Sequence, residues 1–337
     1  MSLLRIFRAN NGYNFILLPI FGALLLMKTF LDTKGINAGN IVFTSPITGT
    51  LDLSGMSHLG VIILAYIPAI IISFLLLSIN ARFSFIRERS FLPSYLFLIL
   101  AFTQPSLHFI HPVYFSGIFI LLAISVIFSA YEEKKAISKA FNAGVLTGLA
   151  GLFYLSSSLY IILVPISLFA LRGKIGWREY FTSFIGFLIP WIYTFSSYFI
   201  FGDISKLIDI LAHSVSYNKP TGTIIEYIPE IVFFFVVFVI TVIASFYILN
   251  QYDENKISTR RYNKILFFYF ATSLIITILP QVSFEVFVLI SIPLTYLFSN
   301  YLSFMKRRFW AEFFFAILIL FSIMFQFVVE WMRQGQL

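Results

Sequence analysis

LGVIILAYIPAIIISFLLLSI, residues Leu59–Ile79, holds no charged side chain and is followed closely by Arg82, Arg87 and Arg89. At 1.5 Å per residue a helix over this run is about 30 Å long, which matches the hydrocarbon thickness of a bilayer. An apolar run closed by a basic cluster is the pattern of a membrane span with its positive flank in the cytoplasm.

Runs of the same kind recur along the chain in both directions. Tyr13–Leu31 precedes it; it follows Arg5 and Arg8, has no small-residue cleavage site after it, and reads as a retained first helix rather than a signal peptide. Downstream, Leu92–Tyr131 is interrupted at Thr103-Gln104-Pro105 and His111-Pro112, and Phe141–Leu171 at Ser156–Ser158. Ile265–Phe304 is interrupted near Pro280-Gln281. Proline ends or kinks helices, so each of these blocks reads as a pair of short helices. Tyr180–Phe201, Ile228–Leu249 and Trp310–Val329 complete an all-α, polytopic transmembrane bundle of about eleven helices. The whole chain, 1–337, reads as one transmembrane domain.

Composition agrees. The chain is 59% hydrophobic and 11% charged, against about 25% charged residues in soluble domains. With no Cys, disulfides, thiolate metal sites and Cys nucleophiles are excluded. The net charge of +8 comes from small basic groups between apolar runs, which are topology signals and not a nucleic-acid surface. With a cytoplasmic N-terminus, 18 of the 23 Lys and Arg fall on the inner side, leaving Lys28, Lys34, Lys206, Lys219 and Arg333 outside. This predicts a bacterial inner-membrane protein with its C-terminus in the periplasm. Gly144, Gly148 and Gly151 lie on one face of a helix and predict close helix packing.

Candidate chemistry collects on the predicted outer side. Asp32 closes the first helix between Lys28 and Lys34, as a carboxylate base flanked by cations able to hold a phosphate; simple interface punctuation is the alternative. Gln104, His108 and His111 lie on the turn between two short helices. Two His make a weak metal signal, so no metal site is assigned and no cofactor is expected, a divalent ion remaining open. Residues 203–215 predict an amphipathic helix on the outer membrane surface that carries Lys206 and His213, either a plain surface helix or a substrate platform. No phosphate-binding loop or nucleophile elbow appears. The spans also lack the buried acids and bases of a proton-coupled pump.

Two resemblances extend this. RIFRANNGYN (Arg5–Asn14), RERSFLP (Arg87–Pro93), FNAG (Phe141–Gly144), LAGLFY (Leu149–Tyr154) and GWRE (Gly176–Glu179) resemble a family of multi-spanning Bacteroidota inner-membrane proteins with no assigned activity. The order of Asp32, paired short helices, AGVLTGLA (Ala143–Ala150), Leu171-Arg172 and Ile189-Pro190-Trp191 is similar to the membrane module of GT-C-type glycosyltransferases. That second resemblance implies a transferase acting at the outer face on a polyprenyl-phosphate-linked glycan or related lipid. Asp32 would be its base, and membrane lipids its surroundings. The alternatives are a non-enzymatic subunit or scaffold of an envelope complex, or a transporter.

Overall fold

The computed structural model describes residues 7–8, 11–31, 45–49, 56–84, 86, 90–131, 133, 135–216, 228–250, 256–279, 282, 284–305 and 308–334. Thirteen α-helices and three 3-10 segments lie among them. They are α1 (Asn14–Leu25), α2 (Met27–Leu31), α3 (His58–Phe83), α4 (Leu92–Ala101), α5 (Pro112–Phe128), α6 (Ile137–Phe153), α7 (Leu163–Arg172), α8 (Trp177–Phe201), α9 (Ile204–Ser216), α10 (Ile228–Asn250), α11 (Ile257–Ile278), α12 (Phe287–Phe304) and α13 (Arg308–Gln334). The 3-10 segments are Pro105–His108, Leu155–Ile162 and Phe284–Val286.

Every apolar run becomes helix, and the three interrupted blocks break where Pro or Ser clusters deny the helix its donors. One expectation is corrected and one is not confirmed. The first run is two helices, because α1 ends at Leu26, whose φ of −91° and ψ of 0° leave the helical region. The figure of eleven crossings does not follow from the lengths. Among the described residues six helical stretches are long and apolar enough to cross a membrane: His58–Phe83, Leu155–Arg172, Trp177–Phe201, Ile228–Tyr247, Phe284–Phe304 and Phe309–Val328. The helices α1, α4, α5 and α6 are shorter, and α11 opens with Arg260, Arg261 and Lys264.

The helices at the centre and at the rim differ in what they bury. All ten residues of α4 are buried, as is 94% of the Phe284–Phe304 window, so α4 and α12 form the axis of one continuous apolar core. The axial helix α12 carries Ser291, Thr295, Ser299 and Ser303 at four-residue spacing, all buried. By contrast only 11% of the α8 window is buried, and Phe181, Ile185, Leu188, Tyr193 and Phe199 project from it. Its one packed face meets α6 through glycine. A methyl at Gly144, Gly148 or Gly186 would land on the carbonyl of Ser183, Phe187 or Phe141. Close backbone approach of this kind is how helices associate where the solvent is as apolar as their side chains. Gly144 and Gly148 therefore act as expected, whereas Gly151 faces Ser158 of the 3-10 segment.

At the α3 C-terminal end of the bundle the Glu179 carboxylate joins three helix termini. It accepts from Arg172 at 2.6 Å, from the Ala136 N–H ahead of α6 at 2.8 Å, and from the Gly176 N–H ahead of α8 at 2.9 Å. Arg261 of α11 donates to the Leu171 carbonyl at the end of α7. Carbonyls and N–H groups that helix ends leave orphaned are thus satisfied by side chains.

Candidate functional site

The opposite end holds Lys28, Gln104, His108 and His111 of the residues singled out in the sequence, and the break after α4 positions them. Helix α4 stops at Phe102, leaving its last carbonyls without intrahelical partners. The Ile99 carbonyl takes Thr103 Oγ1 at 2.6 Å and Ser322 Oγ at 3.3 Å. The Phe102 carbonyl takes His108 Nε2 at 2.8 Å and Gln326 Nε2 at 3.1 Å. Gln326 Nε2 also reaches the Leu25 carbonyl at 3.1 Å, at the end of α1. One amide of α13 thereby closes two helix ends.

A carbonyl can only accept, so His108 carries its proton on Nε2 and presents a bare Nδ1. Thr29 Oγ1 of α2 donates to that nitrogen at 2.6 Å. Burial holds the His108 pKa down at about 4, and the nearby Lys28 ammonium adds to the depression although the hydrogen bond to Phe102 opposes it. The same logic fixes His58, at the start of α3. Its Nε2 lies 3.1 Å from the Thr29 carbonyl and donates to it. The His58 Nδ1 is then a bare acceptor, buried and with no partner. Gln104 is 2% exposed, and its Nε2 is a buried donor with no partner. Lys28 Nζ donates to the Gln326 carbonyl at 2.9 Å and lies 4.2 Å above the centre of the Phe327 ring.

The cluster thus contains one cation, one orphan acceptor and one orphan donor, held by α2, α3, the Pro105–His108 turn and α13. The orphan acceptor suits a hydroxyl or other donor, the orphan donor suits an oxygen acceptor, and the lysine suits an anion. Among the described residues no group of three or more His, Asp or Glu is placed to hold a metal.

A family model matches residues 40–333, most of the 337-residue chain. The chain belongs to DUF6427, a family of unknown function. No curated protein and no solved structure matches it.

The other sequence candidates of this DUF6427 chain fall into three groups. Asp32 and Lys34 lie outside the described residues, as does the 217–227 stretch after α9. His111 faces a second, neighbouring cluster: its Nδ1 accepts from the Val113 N–H at 3.2 Å and caps α5, and its ring centre is 6.1 Å from that of Tyr154. Burial lowers the His111 pKa, with the Glu285 carboxylate opposing that shift. Lys206 and His213 are exposed on α9, which packs on α8 rather than joining the cluster. That helix runs from Ile204 to Ser216 and buries Leu207.

Sequence reading missed Thr29, His58 and Gln326 as members of the site. His58 stands just ahead of the Leu59–Ile79 run, and Gln326 sits in an apolar run. A lone amide among apolar residues was the available signal for Gln326, since such a group must find partners inside the membrane.

Proposed function

We propose that this chain is a GT-C-like membrane transferase that handles a polyprenyl-phosphate-linked glycan or a related lipid at this end of the bundle. The observation that carries the reading is the pair of buried, unpartnered groups, His58 Nδ1 and Gln104 Nε2, in the same cluster as the Lys28 ammonium. Sugar hydroxyls can serve the orphans, and a phosphate suits the cation. In this reading the Asp32 carboxylate, just beyond α2, takes the proton of the acceptor hydroxyl. The hydroxyl oxygen bonds the sugar's anomeric carbon as the bond to the phosphate oxygen breaks. The phosphate leaves with the electron pair, and Lys28 and Lys34 balance its charge. The host is a bacterium of the Bacteroidota and the membrane its inner one, with this end of the bundle facing the periplasm.

The test is turnover of a radiolabelled polyprenyl-phosphate sugar by the purified chain in nanodiscs. Transfer is expected, abolished by Asp32→Asn and weakened in KM by Lys28→Met. Absence of transfer by folded protein would overturn the reading.

A second reading, a non-enzymatic subunit of an envelope complex, is favoured by one observation. Lys28, Thr29, His108 and Gln326 spend hydrogen bonds tying α1, α2, α4 and α13 together. Under that reading the Asp32→Asn chain would complement a deletion strain in full.

A further inference from the structure

A slot of about 370 Å³ lies on the flank of the bundle, where α10 and α11 lean on α12. Phe234, Val237 and Phe238 form one wall, Phe270 and Leu274 the other, and Ile290 and Leu294 the floor. The volume falls at the lower end of the roughly 300–1,000 Å³ usual for ligand sites. Two hydroxyls enter the lining, and both are spent locally: Thr241 Oγ1 donates to the Val237 carbonyl at 2.7 Å and Thr277 Oγ1 to the Leu274 carbonyl at 2.6 Å. The slot therefore offers a ligand apolar contact and little else. Its walls run out to surface that a bilayer would cover, with Phe238 62% and Leu274 42% exposed.

One end of the slot is built by the Phe284–Val286 turn, where the Phe284 and Phe234 rings stack at 5.7 Å. That turn packs directly against Pro105–His108, the turn that carries His108. The apolar slot and the polar cluster thus lie on either side of two touching turns.

We infer that the slot holds the hydrocarbon chain of the lipid-linked substrate, the chain lying between α10 and α11 while its phosphate end turns past Phe284 toward Lys28. This rests on the function proposed above and names the part of the molecule that would recognise the carrier. A hydrocarbon chain entering from the bilayer crosses no polar barrier, and the aromatic walls give it dispersion contact along its length.

The experiment uses the full chain in phosphatidylcholine nanodiscs and a polyprenyl phosphate with a photoactivatable diazirine in its chain. Labelled peptides are mapped by mass spectrometry. Labelling is expected in residues 234–241, 270–277 and 284–294, competed by unlabelled polyprenyl phosphate. Leu274→Trp and Thr277→Trp, which fill the slot from its lipid-facing wall, are expected to cut labelling about tenfold. Ile278→Trp, on neighbouring exposed surface, is the control and should leave it unchanged, with unfolding temperatures confirming that all three variants fold. Labelling elsewhere, no labelling, or equal labelling by a diazirine phosphatidylcholine that polyprenyl phosphate does not compete would overturn the inference. Slot labelling without any sugar transfer leaves the inference standing and removes the transferase reading; transfer with labelling elsewhere does the reverse.

Discussion

His108 shows how a single side chain carries consequences for the whole cluster. Its neutral form is fully satisfied, donating to Phe102 and accepting from Thr29. Its folded pKa of about 4 lies below the ordinary 6.5, so between those values the unfolded chain binds more protons than the folded one. Stability attributable to this residue is complete above about pH 6.5 and declines as pH falls toward about 4, by something on the order of 3 kcal/mol at most. Thermal unfolding of the detergent-solubilised chain should show a falling Tm over that window, and His108→Gln should flatten the fall. Gln326 makes a companion case. Gln326→Leu takes this donor from the Leu25 carbonyl and leaves the Phe102 carbonyl with His108 alone, and a buried acceptor left bare costs about 1–3 kcal/mol. A drop in Tm with the helical circular dichroism retained is the expected result; an unchanged Tm would show that water replaces the amide.

At the scale of elements, the sequence announced where helices begin and break more clearly than how they are arranged. Pro105, Pro112 and the Ser156–Ser158 cluster could be read directly, because they act through local backbone chemistry. Which apolar helix becomes the axis was not read, since α8 and α12 look alike by hydropathy. The buried hydroxyls at Ser291, Thr295, Ser299 and Ser303 are the distinguishing mark, because such groups are costly against lipid. The α6–α8 contact yields a prediction. Gly148→Leu puts a side chain onto the Phe187 carbonyl, so the helices must separate, at a cost of about 3 kcal/mol or more. Gly12→Leu, where nothing lies nearby, is the control. The Arg172–Glu179 pair yields another. Arg172→Met leaves a carboxylate that is 6% exposed without its cation, costing about 3–5 kcal/mol, whereas Arg172→Met with Glu179→Gln removes the charge, keeps one of the two accepting oxygens and should recover part of it. Equal losses in the single and double variants would mean that charge is not what matters there.

For the whole molecule, the distribution of Lys and Arg is the signal that the sequence reading rested on. It predicts that reporters fused after Leu337 and inserted within residues 253–262 lie on opposite sides of the membrane, and finding both on the same side would overturn the count of crossings. The candidate site was half legible. Lys28 and His108 were found because polar groups beside a helix end stand out in an apolar chain. Their linkage through Thr29 and Gln326 was not, because it joins residues hundreds of positions apart and no local pattern encodes such a distance.

The bond from Gln326 to Leu25 spans 301 residues of sequence. A chain made from its N-terminus must therefore carry the end of α1, open at a polar carbonyl, until α13 has been made. During that interval the end of α4 is short of the same amide. Only the arrival of α13 supplies that amide, so the packing of α1 and α4 depends on a helix made much later. A product released before α13 is made would insert into the membrane without the donor that closes the Leu25 carbonyl, a blemish by which membrane proteases tell it from a chain that carries α13.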